Sequence, residues 1–307
     1  MSIWKRLLVD RISITVVIGS KDFYHQTENR LYTLKAKQPA LLPLGKIKVF
    51  QGQYLRRLDY YAAYGKSKAS KRKIADIKVG ANRLFGGKSM HRYFSLTLYP
   101  SQFKAGDFQT FKDLLTAVMP EFNYAKLHQT GKVTYLELAA DSLTHKHHSF
   151  LPYRKYTKTS KIWKEDGGHL GTTYIGSNTS PQRFRIYDKH KQLLDTGKEP
   201  YSNVFPQTRI EAVVRKLGVA PVDLINMKNP FKKLAIADLA AAKAASDDQD
   251  WQDFIVESLK IGVPQALSNH PTIRKKYMAM LDTVQAPWWS PEFLWQGLPK
   301  ALAVIAP

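Results

Sequence analysis

No cysteine occurs among the 307 residues. That removes disulfides, thiol nucleophiles and cysteine-ligated zinc, and it agrees with a reducing, cytoplasmic setting. There is no run of about eighteen apolar residues, the length a bilayer-spanning helix needs, so no membrane partner is expected. The opening MSIWKRLLVDRISITVVIG starts basic and ends apolar, but Asp10 and Arg11 break what would be the apolar centre of a signal peptide. Acid is scarce. Asp and Glu number 25 against 47 Lys and Arg, a formal net charge of +22. An excess of that size favours a polyanionic partner, nucleic acid first, because no long basic amphipathic helix is there to serve an anionic membrane. Hydrophobic residues at 44% describe a globular chain, long enough for one large or two modest domains.

What is present is concentrated between Leu170 and Arg215. LGTTYI reads as a strand, SNTSP as a turn, and Arg183–Lys189 as a returning strand in which Phe184 and Ile186 alternate with Arg183, Arg185, Tyr187 and Lys189. In TRIEAVVR, Ile210, Ala212 and Val214 face one way while Arg209, Glu211, Val213 and Arg215 face the other. A solvated sheet face explains one such stripe. Two stripes, one adding a phenol and the other a carboxylate between arginines, suit a phosphodiester: cations neutralise phosphate, a carboxylate holds metal, a phenol attacks.

VTYLELAAD at Val133–Asp141 reads as a buried strand with Glu137 and Asp141 on one face. A buried acid must be neutralised, either by an arginine or by a hard divalent cation, Mg2+ or Mn2+. THKHH follows in loop; His145 and His147 are a weaker metal alternative, with Lys146 where an apolar residue would be expected. Cations cluster at Lys66, Lys68, Lys71, Arg72 and Lys73, with Arg83 soon after, and read as a loop tracking phosphates. Gly65–Ser67 (GKS) lacks the earlier glycine of a P-loop. Arg154, Lys155 and Lys158 interleave with Tyr153, Tyr156 and Trp163, the pattern of a strand-tracking surface.

Elsewhere, Arg11–Ile18 reads as a strand, residues 20–45 as a long loop with a short strand near 31–34, and Tyr54–Tyr64 as sheet with Tyr60 and Tyr64 packing or stacking. Asp107 is expected to cap a helix ending at Pro120. After Val219 the character turns helical: 236–245, a helix capped at Ser246–Asp247, and another starting at His270–Pro271. Asp247, Asp248, Asp250, Asp253 and Glu257 make that tail the less favoured DNA surface. No internal repeat is legible. The expected fold is α+β: a large, mostly antiparallel sheet with helices packed on one face, a catalytic and DNA-binding domain at 1–218, and a helical C-terminal region at 219–307.

VTYLELAAD, YIGSNTSPQRFRIYDK and TRIEAVVRK, in that order, resemble the replication initiation factors of rolling-circle plasmids and filamentous-type phages over roughly residues 90–217. The resemblance implies metal-dependent nicking of one origin strand, a covalent 5′-phosphotyrosine, strand transfer, and a free 3′ hydroxyl. By position it implies Tyr187 as nucleophile, Arg185 and Lys189 as phosphate-stabilising neighbours, and Glu137, Asp141 and Glu211 as carboxylates for Mg2+ or Mn2+. Arg183, Arg209, Arg215 and the cations named above would meet DNA at an origin hairpin or single-stranded nick site. A host helicase and polymerase are implied partners, a homodimer is left open, and no nucleotide cofactor is expected. This sequence departs from the family at Glu137, where Asp is usual, and at Tyr135, where Arg is usual. A relaxase or transposase of a mobile element, a nuclease using water, and a non-catalytic nucleic-acid binder are the competing readings.

Overall fold

The β-branched run near the chain start and the alternating stripes further on form strands of an α+β fold with a large antiparallel sheet. The computed structural model describes residues 4–41, 46–50, 56–63, 71–83, 90–121, 123–164, 170–197 and 208–307. By its contacts the chain divides into one unit of residues 9–136, 216–227 and 300–307, and another of 1–8, 137–215 and 228–299. Residues 228–299 group by their contacts with 137–215.

The first unit holds most of β1 (Trp4–Ile18), then α1 (Lys21–Leu41), β2 (Lys46–Phe50), β3 (Arg56–Ala63), β4 (Arg72–Arg83), β5 (Met90–Leu98), α2 (Asp107–Val118), α3 (Tyr124–Thr130) and the start of β6 (Lys132–Ser142). Its strand order is β2-β3-β4-β5-β1-β6. Each step from β2 to β1 is antiparallel. Ile12, Ile14, Ile77, Val79, Phe94, Leu96 and Leu98 are buried on the apolar side.

Residues 21–41 are helical where a loop was expected. Ser20 Oγ accepts from the Phe23 amide at 3.2 Å, and Tyr24, Thr27 and Leu31 are buried at helical spacing. Threonine and tyrosine in the buried stripe blur its apolar signal. Gly106, with φ +83°, occupies the N-cap of α2. Asp107 instead sits one residue inside, accepting from the Lys104 amide at 2.7 Å and from Arg72.

The cationic run proves to be partly strand. Arg72 and Lys73 open β4 and Arg83 closes it; Lys71 is exposed; Lys66 and Lys68, with Tyr64, lie outside the described residues. Tyr60 is core. Asp59 and Asp76 face each other across β3 and β4. Lys73 Nζ lies 3.0 Å from Asp59 and 3.2 Å from Asp76, Lys78 lies 3.1 Å from Asp76, and Arg57 pairs with Asp59 at 2.8 Å.

The second unit continues β6 and adds β7 (Phe150–Tyr153), β8 (Ser160–Lys164), β9 (Leu170–Ile175), β10 (Gln182–Asp188), α4 (Lys189–Asp195), β11 (Thr208–Arg215), β12 (Ala235–Asp238), α5 (Leu239–Ala244), α6 (Gln249–Ile261), α7 (Val263–Asn269), α8 (Arg274–Thr283) and α9 (Pro291–Trp295). A last helix, α10, is Leu298–Ala303. The order is β6-β11-β10-β9-β8, with β7 and β12 as a separate antiparallel pair. Both units therefore use one topology: a leading strand, an excursion, then a four-strand meander whose last strand returns beside the leading one.

Residues 236–238, expected as the start of a helix, lie in β12 and pair with β7, where Ile236 and Ala237 are buried, and Asp238 then caps α5 through the Ala241 amide at 2.9 Å. Asp248, not Ser246–Asp247, caps α6; α8 begins at Arg274 rather than His270. Trp251, Phe254, Ile255, Tyr277 and Leu281 form the core beneath these helices.

Burial alone would raise the Asp76 carboxyl, but Lys73 and Lys78 outweigh it and hold its pKa below the ordinary 3.8. A carboxylate depressed on folding contributes stability above its unfolded pKa, and that contribution is lost as pH falls through the lower folded value. Urea unfolding between pH 7 and 2.5 is therefore expected to show a steeper loss below pH 3.8 in the parent than in Asp76→Asn. Parallel slopes would remove Asp76 from the acid response.

Candidate functional site

The turn that aims the site is built from SNTSP. Gly176 takes φ +94°, and a Cβ there would lie 3.1 Å from the Gln182 carbonyl, so only glycine lets β9 and β10 close this tightly. The Ser180 amide donates to the Ser177 carbonyl at 3.2 Å, closing the reversal. Beyond it Phe184 and Ile186 are buried, while Arg183, Arg185 and Tyr187 are half-buried on the opposite face.

β10 and β11 are antiparallel, with Arg185 opposite Glu211 and Tyr187 opposite Arg209. Opposed residues share a face, so a phenol, a carboxylate and two guanidiniums form one block. β6 flanks β11 on its other side and brings Glu137 and Asp141, four residues apart, to a common face.

Contacts divide these groups in two. Arg185 Nη2 donates to Glu137 Oε1 at 2.9 Å and lies 2.5 Å from Glu211 Oε2. The Tyr187 hydroxyl donates to Glu211 Oε1 at 2.8 Å. Arg209 grips Asp141 with both ends of its fork, Nε to Oδ1 at 2.6 Å and Nη2 to Oδ2 at 2.8 Å. Arg209 and Asp141 are 2% and 1% exposed, whereas the Arg185 side chain is 31% exposed. One pair is sealed; in the other cluster Glu137 and Glu211 are buried as well, and solvent is reached through Arg185 and the half-buried Tyr187.

The remaining sequence candidates have separate surroundings. Lys189 does not extend the strand but begins α4, donating to Gln192 Oε1 at 2.6 Å, with its ammonium 6.0 Å from the centre of the Tyr187 ring. Arg183 covers the Tyr174 ring at 4.0 Å and donates to Asn178. Arg215 donates to the Ser180 carbonyl at 3.1 Å, bracing the turn. His145 stacks on Trp288 with ring centres 4.2 Å apart, its Nδ1 within 3.1 Å of Ser142 Oγ. Burial pushes its pKa down. Its carbonyl accepts from Thr208 Oγ1 at 2.5 Å, tying this loop to the start of β11. Arg154 is half-buried, Lys155 pairs with Asp282 at 2.6 Å, and Lys158 is exposed.

Glu137 and Glu211 offer only carboxylate oxygens, the donors a hard divalent cation prefers. A single nitrogen touching both marks a point where one cation contacts the two acids together. Both oxygens of Asp141, by contrast, are engaged by Arg209. Among the described residues no three Asp, Glu, His or Cys side chains converge as a metal cage. The donor set thus fits a cation through Glu137 and Glu211. Sequence reasoning did not anticipate this partition, since the spacing of Glu137 and Asp141 fixes their face but not their partners. It also passed over Arg274 and Lys275 on α8, for which the basic run at 274–276 was the available signal.

The sealed pair makes a stability prediction. Arg209→Met leaves a buried, uncompensated carboxylate and is expected to cost about 3–5 kcal/mol. Asp141→Leu combined with Arg209→Met is expected to recover most of that loss in denaturant unfolding. Single and double variants all matching the parent would show the pair to be energetically idle.

No protein-family model matches the chain, and no curated protein does. Among solved structures it is similar to the rolling circle replication initiator protein from Geobacillus stearothermophilus, with a TM-score of 0.40, 12% identity, and coverage of 84% of this chain and 98% of that one. A likeness that loose carries no functional argument by itself.

Proposed function

We propose that this chain is a rolling-circle replication initiator that nicks one DNA strand through a covalent phosphotyrosine at Tyr187. The observation that carries the reading is the Tyr187 hydroxyl, hydrogen-bonded to Glu211 at 2.8 Å beside the partly exposed Arg185. A phenol with an ordinary pKa near 10 is a weak nucleophile at neutral pH. Glu211, which accepts that hydrogen bond, would take its proton as the phenol oxygen bonds to phosphorus. The bond from phosphorus to the 3′ oxygen breaks; that oxygen leaves and takes up a proton, giving a 3′ hydroxyl and a 5′ phosphate linked to tyrosine. Arg185, and Lys189 at the start of α4, supply positive charge for the phosphate oxygens as negative charge builds. The tyrosyl phosphodiester conserves the bond energy, so attack by a 3′ hydroxyl reseals the strand without ATP.

Mg2+ or Mn2+, held by Glu137 and Glu211, would polarise the phosphate and favour the phenolate. Asp141 serves the fold through Arg209 unless that pair opens. A helicase and polymerase acting on the 3′ hydroxyl, and a second copy of the chain, belong to the same proposal.

A non-catalytic binder is the second reading, favoured by the arginine that each of the three acids contacts. Supercoiled plasmid and single-stranded circles incubated with the protein and Mn2+ separate the two. The expected product is nicked DNA carrying protein after denaturation, with the adduct mapped by mass spectrometry to Gln182–Asp188. It is expected to be absent in Tyr187→Phe and slowed by about 10²-fold or more in Glu211→Gln. Closed DNA throughout would support the binder, and nicking by Tyr187→Phe without an adduct would point to water as nucleophile.

A further inference from the structure

The helical tail carries the main acidic patch, yet one of its helices contributes to a basic cleft. α8, the residue Pro271 ahead of it and the turn at 154–158 border an open cleft of about 660 Å³. Pro271, Met278 and Ala279 give its lining an apolar part. Lys158, Arg274 and Lys275 line it as well. Among the described residues neither Lys158 nor Lys275 has an acidic partner. The single acid in the lining, Asp282, is already engaged, accepting from Lys155 Nζ at 2.6 Å and from the Tyr153 hydroxyl at 2.8 Å. The cleft is therefore cationic beyond what its own carboxylate neutralises.

Tyr156 stands at this cleft and is 92% exposed. The turn that carries it is pinned. Arg274 Nη2 donates to the Lys155 carbonyl at 3.0 Å, the Thr157 amide to the Arg154 carbonyl at 3.1 Å, and Gln285 Nε2 to the Tyr153 hydroxyl at 2.7 Å. An aromatic ring held out on a fixed turn, beside apolar side chains and among cations, has the composition of a base-stacking site with phosphate contacts around it.

We propose that this cleft binds single-stranded DNA, stacking an unpaired base on Tyr156 and placing adjacent phosphates on Lys158, Arg274 and Lys275. The charge of the whole chain supports a nucleic acid. The choice of DNA rests on the nicking reading above. An unpaired base is required because a ring inside a duplex stack has no free face to offer. The site would hold the strand by its backbone and stacking, with little sequence preference.

The test uses the full chain in a Tyr187→Phe background with EDTA, so that cleavage does not interfere, and fluorescence anisotropy with labelled dT12. Tyr156→Ala is expected to weaken dT12 binding about tenfold, while a 12-base-pair duplex binds within twofold of the parent. Tyr156→Trp is expected to retain affinity and to lose indole fluorescence as dT12 is added. Lys275→Ala is expected to lower the slope of log affinity against log salt by about 0.7. Unchanged dT12 affinity in Tyr156→Ala, or equal losses for dT12 and duplex, would overturn the proposal, as would a labelled U12 bound tenfold tighter than dT12. The adduct assay on the parent chain is read separately. No adduct, with dT12 binding still lost in Tyr156→Ala, would sink nicking and leave the cleft; an adduct, with binding unchanged, would do the reverse.

Discussion

Three carboxylates on strand faces, each buried or nearly so, stand in this chain only because guanidinium groups meet them. Arg185 spans Glu137 and Glu211, and Arg209 closes on Asp141. Removing water from a carboxylate costs several kcal/mol unless an opposite charge and hydrogen bonds replace it. Here the register of β10 against β11 supplies both, since it sets Arg185 beside Glu211 and Tyr187 beside Arg209. A slip of one residue would put the arginines on the apolar side and leave the acids uncompensated. Local charge and strand register therefore specify each other.

The same logic recurs in the first unit, where Lys73 joins Asp59 and Asp76 and the Tyr99 hydroxyl donates to Asp76 at 3.0 Å. There the phenol is less suited to attack: burial and the Asp76 charge push its pKa well up. Arg11 adds a cation 5.7 Å from the centre of its ring. A phenol, carboxylates and cations on a sheet are thus a structural solution as well as a chemical one. At Tyr187 the carboxylate that meets the phenol, Glu211, is also met by a guanidinium, Arg185, whereas the cations on Asp76 are the lysines Lys73 and Lys78.

Much of the second unit was legible because its signals are local. Alternation in QRFRIYD and TRIEAVVR gives strand and face directly, and GSNTSP gives the reversal between them. Long-range choices were not. Nothing in the sequence says that Asp141 takes Arg209 while Glu137 shares Arg185 with Glu211. The helix at 21–41 was hidden because its buried stripe includes Thr27, whose hydroxyl is satisfied by the Phe23 carbonyl at 2.9 Å. Residues 236–238 were read as helix from their alanine-rich surroundings, although pairing with β7 decides their state. The acidic residues of α6 concealed the basic character of α8, since they were weighed as one composition rather than as separate faces.

The strand orders end on β2 and β8. β2 carries Lys46 and Lys48, and β8 carries Lys161 and Lys164, with the Lys161 ammonium 4.3 Å from the centre of the Trp163 ring. Lysines on a border strand discourage a foreign strand from docking, because annealing would crowd like charges and strip their hydration. Self-association by continuous sheet extension is thereby disfavoured at either margin. Two lysines on each bordering strand in this way act against fibrillar growth of a highly cationic chain.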